Sequence, residues 1–314
     1  MGMTRKTRYL DEWIHVPLCN IGEKLFHYTT AEGVQGIVEN KQFIATKSDF
    51  LNDKLEFVYS LEVLNKLIDT YIVDKEFGRR LYRSIKDEMD ELAIITPSCE
   101  TFCVPEKEHV SFYVVAFSKQ ENSALLWAEF TDFKGYCLGF DYEKLVRGFS
   151  GRSFLHGTVI YDEEAQVTCL LEALLSCIRT AVEQGFTEVE GFFDEATQIG
   201  EEALTGISKD MAMICSVYAM FFKGEFFKGE EEYRFVFSPL IDERGGRPRF
   251  RILDQMFLPY IMVEFDGADI PIPLESVTVG AKNNSDIAVR GVRSFLMGQG
   301  LSIPVKLSDI PLRY

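Results

Sequence analysis

The stretch 24–47, KLFHYTTAEGVQGIVENKQFIATK, carries a strand signal, a helix signal and a second strand signal in succession. Its first part, 24–30, is short, apolar and aromatic, which is typical of a strand. Thr29 and Glu32 have the T-x-x-E spacing of a capping box, which predicts that a helix follows. The segment 42–47 predicts the second strand. This order indicates that helices and strands share one fold.

The remaining patterns predict an α+β fold with a mixed or antiparallel sheet core and a helical insertion. Helical spacing follows Asp53 and recurs at about 76–94 and 285–297. The segment of about 163–224 is long and helical in pattern, so we expect it to be an insertion into a single domain that covers 1–314. Further strands are predicted at 111–117, 136–140, 158–161, 276–280 and 303–307, and a β-hairpin is predicted from 232–239 and 249–253.

The composition is that of a folded, acidic protein. Of 314 residues, 49 are acidic and 33 are basic, which gives a net charge of −16. Proteins bind a phosphate backbone by replacing its counterions with Lys and Arg, so this charge disfavours non-specific binding to nucleic acid or an anionic membrane. The seven cysteines are scattered and the four histidines lie far apart, which favours free thiols over a zinc site. No apolar run approaches the ~20 residues of a membrane span, and we expect a cytoplasmic protein.

Glu230, Glu232 and Arg234 form the charged cluster that is most suggestive of chemistry. Alternate residues of a strand share a face, so these three side chains are expected to line up there, while aromatic residues anchor the other face. A solvated edge strand with local ion pairs would show the same pattern. Lys223 precedes this row and could neutralise a phosphate, or it could be a lysine favoured at a helix C-terminus.

A second group of candidates lies at the end of the first strand. His27 could bind a ribose hydroxyl with Tyr28 alongside, or it could bond to the backbone with Tyr28 in the core. Thr29 fits a helix cap, and the N–H groups at such a helix start also suit a pyrophosphate.

Two further clusters have both structural and functional interpretations. Asp53 and Glu56 have capping-box spacing, which leaves Asn52 as the neighbour without a structural explanation. A local basic cluster is either solvated or the place where an anionic substrate touches the protein. It consists of Arg244, Arg247, Arg249 and Arg251.

Short motifs occur in sequence over nearly the whole chain: LFHYTT at 25–30, FLNDKLE at 50–56, AFSK at 116–119, LLW at 125–127, GYCLGFD at 135–141, K at 223 with EEEYR at 230–234, VTVG at 277–280 and LSDIPLR at 307–313. Together they resemble a bacterial family catalogued as domain of unknown function 2971. That resemblance implies no defined activity.

The motif His27-Tyr-Thr, with the helix and strand after it, is also similar to the opening of ADP-ribosyltransferase folds. This resemblance implies a split sheet and NAD as a substrate. It implies that His27 and its neighbours hold the nicotinamide ribose. Glu232 would then stabilise an oxocarbenium-like ribose, and Glu230 would accept the proton of the nucleophile. The implied cofactor-binding residues are His27, Tyr28, Thr29, Asn52, Lys223 and Arg234, and the aromatic candidates for stacking on nicotinamide are Tyr28, Phe43, Phe50 and Trp127.

The leading functional hypothesis is therefore an NAD-dependent ADP-ribosyltransferase-like enzyme, as a bacterial toxin or phage-defence effector. A second hypothesis is a metal-dependent nuclease that uses the acidic residues near 53–56 and 230–232 with Lys223. A third is a non-enzymatic protein-interaction or sensor domain. The sequence contains no P-loop, no G-x-G-x-x-G fingerprint and no G-x-S-x-G elbow, which disfavours P-loop NTPases, Rossmann dehydrogenases and serine hydrolases.

Overall fold

A computed structural model describes residues 13–51, 56–91, 112–183, 199–238, 248–253, 255–265, 272–283 and 285–311. The chain divides into two compact units. The helical unit contains Met1–Pro17, Leu51–Ser111 and Val159–Phe226, and the sheet unit contains Leu18–Phe50, Phe112–Thr158 and Phe227–Tyr314. Across the described ranges, no helix is both long enough and apolar enough to cross a bilayer.

The secondary-structure elements follow the order expected of an α+β protein. The helices are α1 Ala31–Asn40, α2 Glu56–Tyr71, α3 Lys75–Glu91, α4 Ala124–Thr131, α5 Tyr142–Phe149, α6 Glu163–Glu183, α7 Glu201–Tyr218 and α8 Ser285–Gly298. The strands are β1 Lys24–Thr29, β2 Gln42–Lys47, β3 Tyr113–Ser118, β4 Tyr136–Asp141, β5 Ser153–Thr158, β6 Glu232–Phe237, β7 Arg249–Leu253, β8 Met256–Glu264, β9 Leu274–Val279 and β10 Val305–Leu307.

The helical unit is held together by apolar stripes on α2, α3, α6 and α7. On α3, the buried residues Leu81, Ile85 and Met89 recur every four positions, so they lie on one side of the helix. The carboxylate of Asp74 accepts hydrogen bonds from the first N–H groups of this helix, including a 3.0 Å bond from Phe77. The predicted insertion at 163–224 thus supplies only part of this unit, because Met1–Pro17 and Leu51–Ser111 also belong to it.

The sheet of the other unit forks at β3. One edge of β3 pairs along its whole length with β6, which in turn pairs with β5. The other edge is shared: β1 meets it at Ser118, and β2 meets it at Tyr113 and Val114. The sheet therefore continues as two branches, β1-β4-β9-β10 and β2-β8-β7. The mostly antiparallel pairing agrees with the predicted fold class.

Strand alternation gives the sheet two chemically different faces. The aromatic face, defined by Tyr113, Val115 and Phe117 of β3, carries the main core and packs against α1, α5 and α8. The polar face, defined by Val114, Ala116 and Ser118, is the other side of the same strand. Over β1 and β4, the polar face is covered by α4 through a smaller core that consists of Phe26, Tyr28, Leu126, Trp127 and Cys137.

Two sequence-based expectations for these strands are wrong. The segment 249–253 pairs with β8, not with the strand that begins at Glu232. The strand expected at 158–161 lies at Ser153–Thr158, and only Ile160 beyond it forms an isolated bridge, with Phe222. The predicted turn between the supposed hairpin strands lies outside the described residues.

We predict that Phe149→Ala lowers the free energy of unfolding by about 3–5 kcal/mol, because this ring fills the centre of the aromatic face against Phe43, Phe235 and Phe237. Urea denaturation followed by circular dichroism measures the change. The exposed Phe250 provides the control, since Phe250→Ala should change stability by less than about 0.5 kcal/mol. Equal effects of the two substitutions would contradict the packing.

Candidate functional site

Ala116, in the middle of β3, is the point at which the polar groups of the sheet unit meet. Of the six residues of β3, all of which the structure describes, only Ala116 is partly exposed. Its partner across the ladder with β6 is Arg234. Its carbonyl oxygen lies 2.9 Å from Nδ1 of His27, in the fork between the two branches. Ala116 is thus flanked by His27 on one edge of β3 and by the charged residues of β6 on the other.

His27 is held as a neutral imidazole with a defined tautomer. The carbonyl of Ala116 can only accept, so Nδ1 carries the proton and donates it, which leaves Nε2 as an acceptor. Burial lowers the pKa of His27, the bond to Ala116 opposes that shift, and the nearby Arg251 lowers the pKa further. The ring packs against Phe117 and Phe43, with centroids 5.4 and 6.1 Å away, so His27 leaves β1 on the aromatic face.

Tyr28 and Thr29 do not share the surroundings of His27. Tyr28 leaves β1 on the polar face, where its hydroxyl donates to the Gln120 carbonyl at 2.9 Å and accepts from the Ser123 N–H at 3.0 Å. Both roles of this hydroxyl are therefore taken within the protein. Thr29 is the last residue of β1, and the helix cap is Thr30, whose hydroxyl accepts from the N–H of Gly33. For His27 and Tyr28 the structure shows the second alternative, in which His27 bonds to the backbone and Tyr28 lies in the core. The expectation that Thr29 is the cap is wrong.

Glu232 and Arg234 form a buried, bidentate ion pair on the polar face. Nε and Nη2 of Arg234 donate to the two carboxylate oxygens of Glu232 at 2.9 and 2.8 Å. This geometry is the strongest that a guanidinium and a carboxylate form. Arg234 is 1% exposed and Glu232 is 9% exposed, so this pair is held largely away from water.

Glu230 lies outside the strand row that the sequence predicted. It ends a 3-10 helix, Glu225–Glu230, and Glu231 then takes a left-handed conformation with φ of 42° before the strand begins. The backbone turn breaks the alternation that would align Glu230 with Glu232. The carbonyl of Glu230 instead accepts a 2.6 Å hydrogen bond from the Ser118 hydroxyl. A left-handed non-glycine residue next to buried charges is a form of strain that clusters at functional sites.

Arg251 is a half-buried cation without an acidic partner in the described part of the chain. Its Nη2 donates to the hydroxyl of Thr46 at 3.1 Å, and its buried Nε has no acceptor. Burial lowers the pKa of Arg251, which reflects the cost of holding this charge away from water. Thr46 pairs with Val114, so both Thr46 and the guanidinium it binds lie on the polar face. We call His27, Thr46, Ala116, Glu232, Arg234 and Arg251 the Ala116 site.

The remaining candidates are either outside the described residues or part of the helical unit. Asn52 lies outside the described residues, as do Asp53 and the first part of the basic cluster, Arg244 and Arg247. Lys223 belongs to the helical unit, where its carbonyl accepts from the Gln166 side chain at 3.0 Å. Lys223 follows the end of α7 by several residues and is therefore not a helix C-terminal lysine. Within the described ranges, no three His, Cys, Asp or Glu side chains gather as a metal site.

The expectation that His27 and the charged row line one cleft needs correction. Phe26 pairs with Ser118, and Ser118 pairs with Glu232, so these three side chains share the polar face. His27, next to Phe26, points to the aromatic face. The two groups both border Ala116, but they leave the sheet on opposite faces. Arg251, on the polar face, is nevertheless close enough for its positive charge to lower the pKa of His27.

Two members of the site, Thr46 and Ala116, were not identified from the sequence. Thr46 lies in a strand pattern that gives no sign of its contact with Arg251, 205 residues away. Ala116 is a small residue in the middle of a mostly bulky strand, YVVAFS, and this pattern is the signal that could have identified it. A small residue in a central strand leaves space above the sheet.

Comparison with known proteins gives one match. A family model described as protein of unknown function, DUF2971, matches residues 126–235, about a third of the chain. The matched range includes Glu230, Glu232 and Arg234 but not His27 or Arg251. No curated protein and no solved structure matches the chain.

We predict that stability falls as the pH is lowered from about 7.5 to about 5.5. Burial lowers the pKa of His27 and also of His156, so near the ordinary value of 6.5 the unfolded chain binds more protons than the folded chain. Acid therefore favours unfolding. Thermal melts across this range measure the effect.

The matched variant is His27→Asn, because its amide nitrogen replaces Nδ1 as a donor but does not titrate. The loss of stability on acidification should be smaller in this variant than in the parent chain. An unchanged dependence on pH would show that His27 is not a buried neutral imidazole.

Proposed function

We propose that the Ala116 site binds an NAD-like dinucleotide on the polar face of the sheet and supports ADP-ribosyl transfer. The observation that carries this proposal is the partial exposure of Ala116 on the polar face beside the buried Glu232–Arg234 pair. A role as a toxin or phage-defence effector stays a prediction from the resemblance to ADP-ribosyltransferases.

The anionic part of such a ligand suits the side of the site that Arg251 occupies. A buried guanidinium with an unused Nε and no carboxylate partner among the described residues gains most from a phosphate. The hydroxyl of Thr46 adds a second polar contact there. In a chain of net charge −16, a cation in this position favours a small anion over an extended polyanion.

The sugar of the ligand suits the other side of Ala116. His27 does not contact the ligand in this arrangement, because its ring leaves the sheet on the aromatic face; it acts by holding the Ala116 carbonyl. Glu232 is fixed by Arg234, and a fixed carboxylate is suited to stabilise positive charge that develops on the ribose.

The proposed transfer breaks one bond to ribose C1′ and forms another. The bond between ribose C1′ and the nicotinamide nitrogen breaks, and its electron pair leaves with nicotinamide. The nucleophile forms a new bond to C1′ and gives its proton to Glu230, the acid to which the resemblance assigns this role. Glu232 offsets the charge of the oxocarbenium-like ribose between these events.

We predict that Ala116→Leu weakens NAD binding at least tenfold, because the larger side chain fills the space above β3 without removing a charge. Ala116→Ser, which is nearly the same size, should bind as the parent does. Isothermal calorimetry at about millimolar NAD measures both affinities. No heat with the parent chain, or equal affinities for the Leu and Ser variants, would contradict the proposed location of the ligand.

We predict that Glu232→Gln keeps NAD binding but slows nicotinamide release by about 100-fold or more, because Gln still accepts from Arg234 without stabilising a cation. Chromatographic detection of nicotinamide measures the rate. Glu225→Gln, at an exposed position, is the control and should be unaffected. Release at the parent rate in Glu232→Gln, or no release by the parent chain, would remove Glu232 from the mechanism.

A further inference from the structure

The β7–β8 hairpin extends beyond the rest of the sheet. β8 pairs with β2 from Tyr260 to Glu264 and with β7 from Met256 to Tyr260. Its outer half therefore belongs to a ribbon with two strands in the described part of the chain. Two-stranded ribbons are marginally stable in water by themselves. We call this ribbon, Arg249–Leu253 with Met256–Tyr260, the β-arm.

The β-arm exposes large apolar side chains on both faces. Phe250, Ile252 and Phe257 lie together on one face and are 64%, 70% and 68% exposed. Leu253 and Met256 form an exposed pair on the other face. Single exposed apolar residues are ordinary on protein surfaces. A contiguous group of this size is typical of a surface that binds a protein, a membrane or a ligand.

The outer edge of the β-arm is open. β7 is the last strand of its branch, so among the described residues no strand pairs with its second edge. Its N–H and C=O groups on that edge form a template for a further strand. The exposed Arg249, on the face opposite Phe250, adds a positive charge beside that edge.

We propose that β7 receives an extended segment of a partner protein as an added strand, and that this segment alternates apolar and acidic residues. The apolar residues would cover Phe250 and Ile252, and the acidic residues would face Arg249. Backbone hydrogen bonds supply affinity in this mode of recognition, and the alternate side chains supply specificity.

Three other occupants fit less well. A membrane would leave the edge N–H and C=O groups without partners in hydrocarbon, which is costly. If β7 paired in antiparallel fashion with β7 of a second copy, centred on Arg251, the two Arg251 side chains would lie opposite each other and repel. Each copy also carries a net charge of −16, which opposes association of two copies. Nucleic acid is disfavoured by that same net charge.

The test uses the full chain and three fluorescent peptides, measured by anisotropy. The first peptide alternates Val and Glu, the second replaces Glu by Lys, and the third replaces the central Val by Pro, which removes a backbone donor. We expect the Val–Glu peptide to bind at least tenfold more tightly than either of the others. The double variant Phe250→Ser/Ile252→Ser should lose at least tenfold of that affinity.

The control is Ile287→Ser, which removes an exposed apolar side chain from α8 and should leave peptide binding unchanged. The proposal is overturned if the Val–Glu peptide does not bind, if the Val–Lys peptide binds equally well, or if the double variant binds like the parent. It is also overturned if light scattering shows a dimer that the double variant abolishes, or if the β-arm binds anionic lipid vesicles in place of the peptide.

Discussion

The hydrogen bond between His27 and the carbonyl of Ala116 occupies the point at which the sheet divides. Strands β1 and β2 diverge from the same edge of β3, and neither pairs with Ala116 itself. The side chain of His27 lies 2.9 Å from the Ala116 oxygen in the gap between them. A buried carbonyl without a donor costs about 1–3 kcal/mol. His27 supplies this donor.

The chemistry of the two faces follows from that fork. The aromatic face packs phenylalanines from both branches and from the helices over them, so it fixes the strands in register. The polar face can then hold charges that would otherwise destabilise the core. The Glu232–Arg234 pair is compensated internally, whereas Arg251 has only a hydroxyl partner among the described residues. This asymmetry is the reason that an anionic ligand is expected on the side of Arg251.

Much of the fold could be predicted from local patterns, since β1, α1 and β2 lie close to the bounds that the stretch 24–47 indicates. β8 was missed because Pro259 interrupts its pattern, and the structure tolerates this proline where β8 pairs with β7 alone. The faces of single strands were predictable, and Glu232 and Arg234 do lie on one face. Whether His27 and Glu232 lie on the same face of the sheet could not be predicted, because this depends on the registers between strands that are distant in sequence.

The central claim is that His27 is a neutral donor to Ala116 and an acceptor at Nε2. Long-range nitrogen–proton correlation spectra of the imidazole rings, recorded near pH 7, test it directly. We predict that His27 shows a protonated Nδ1 and an unprotonated Nε2. A spectrum with both nitrogens protonated, or with the proton on Nε2, would contradict the fork and the site built on it.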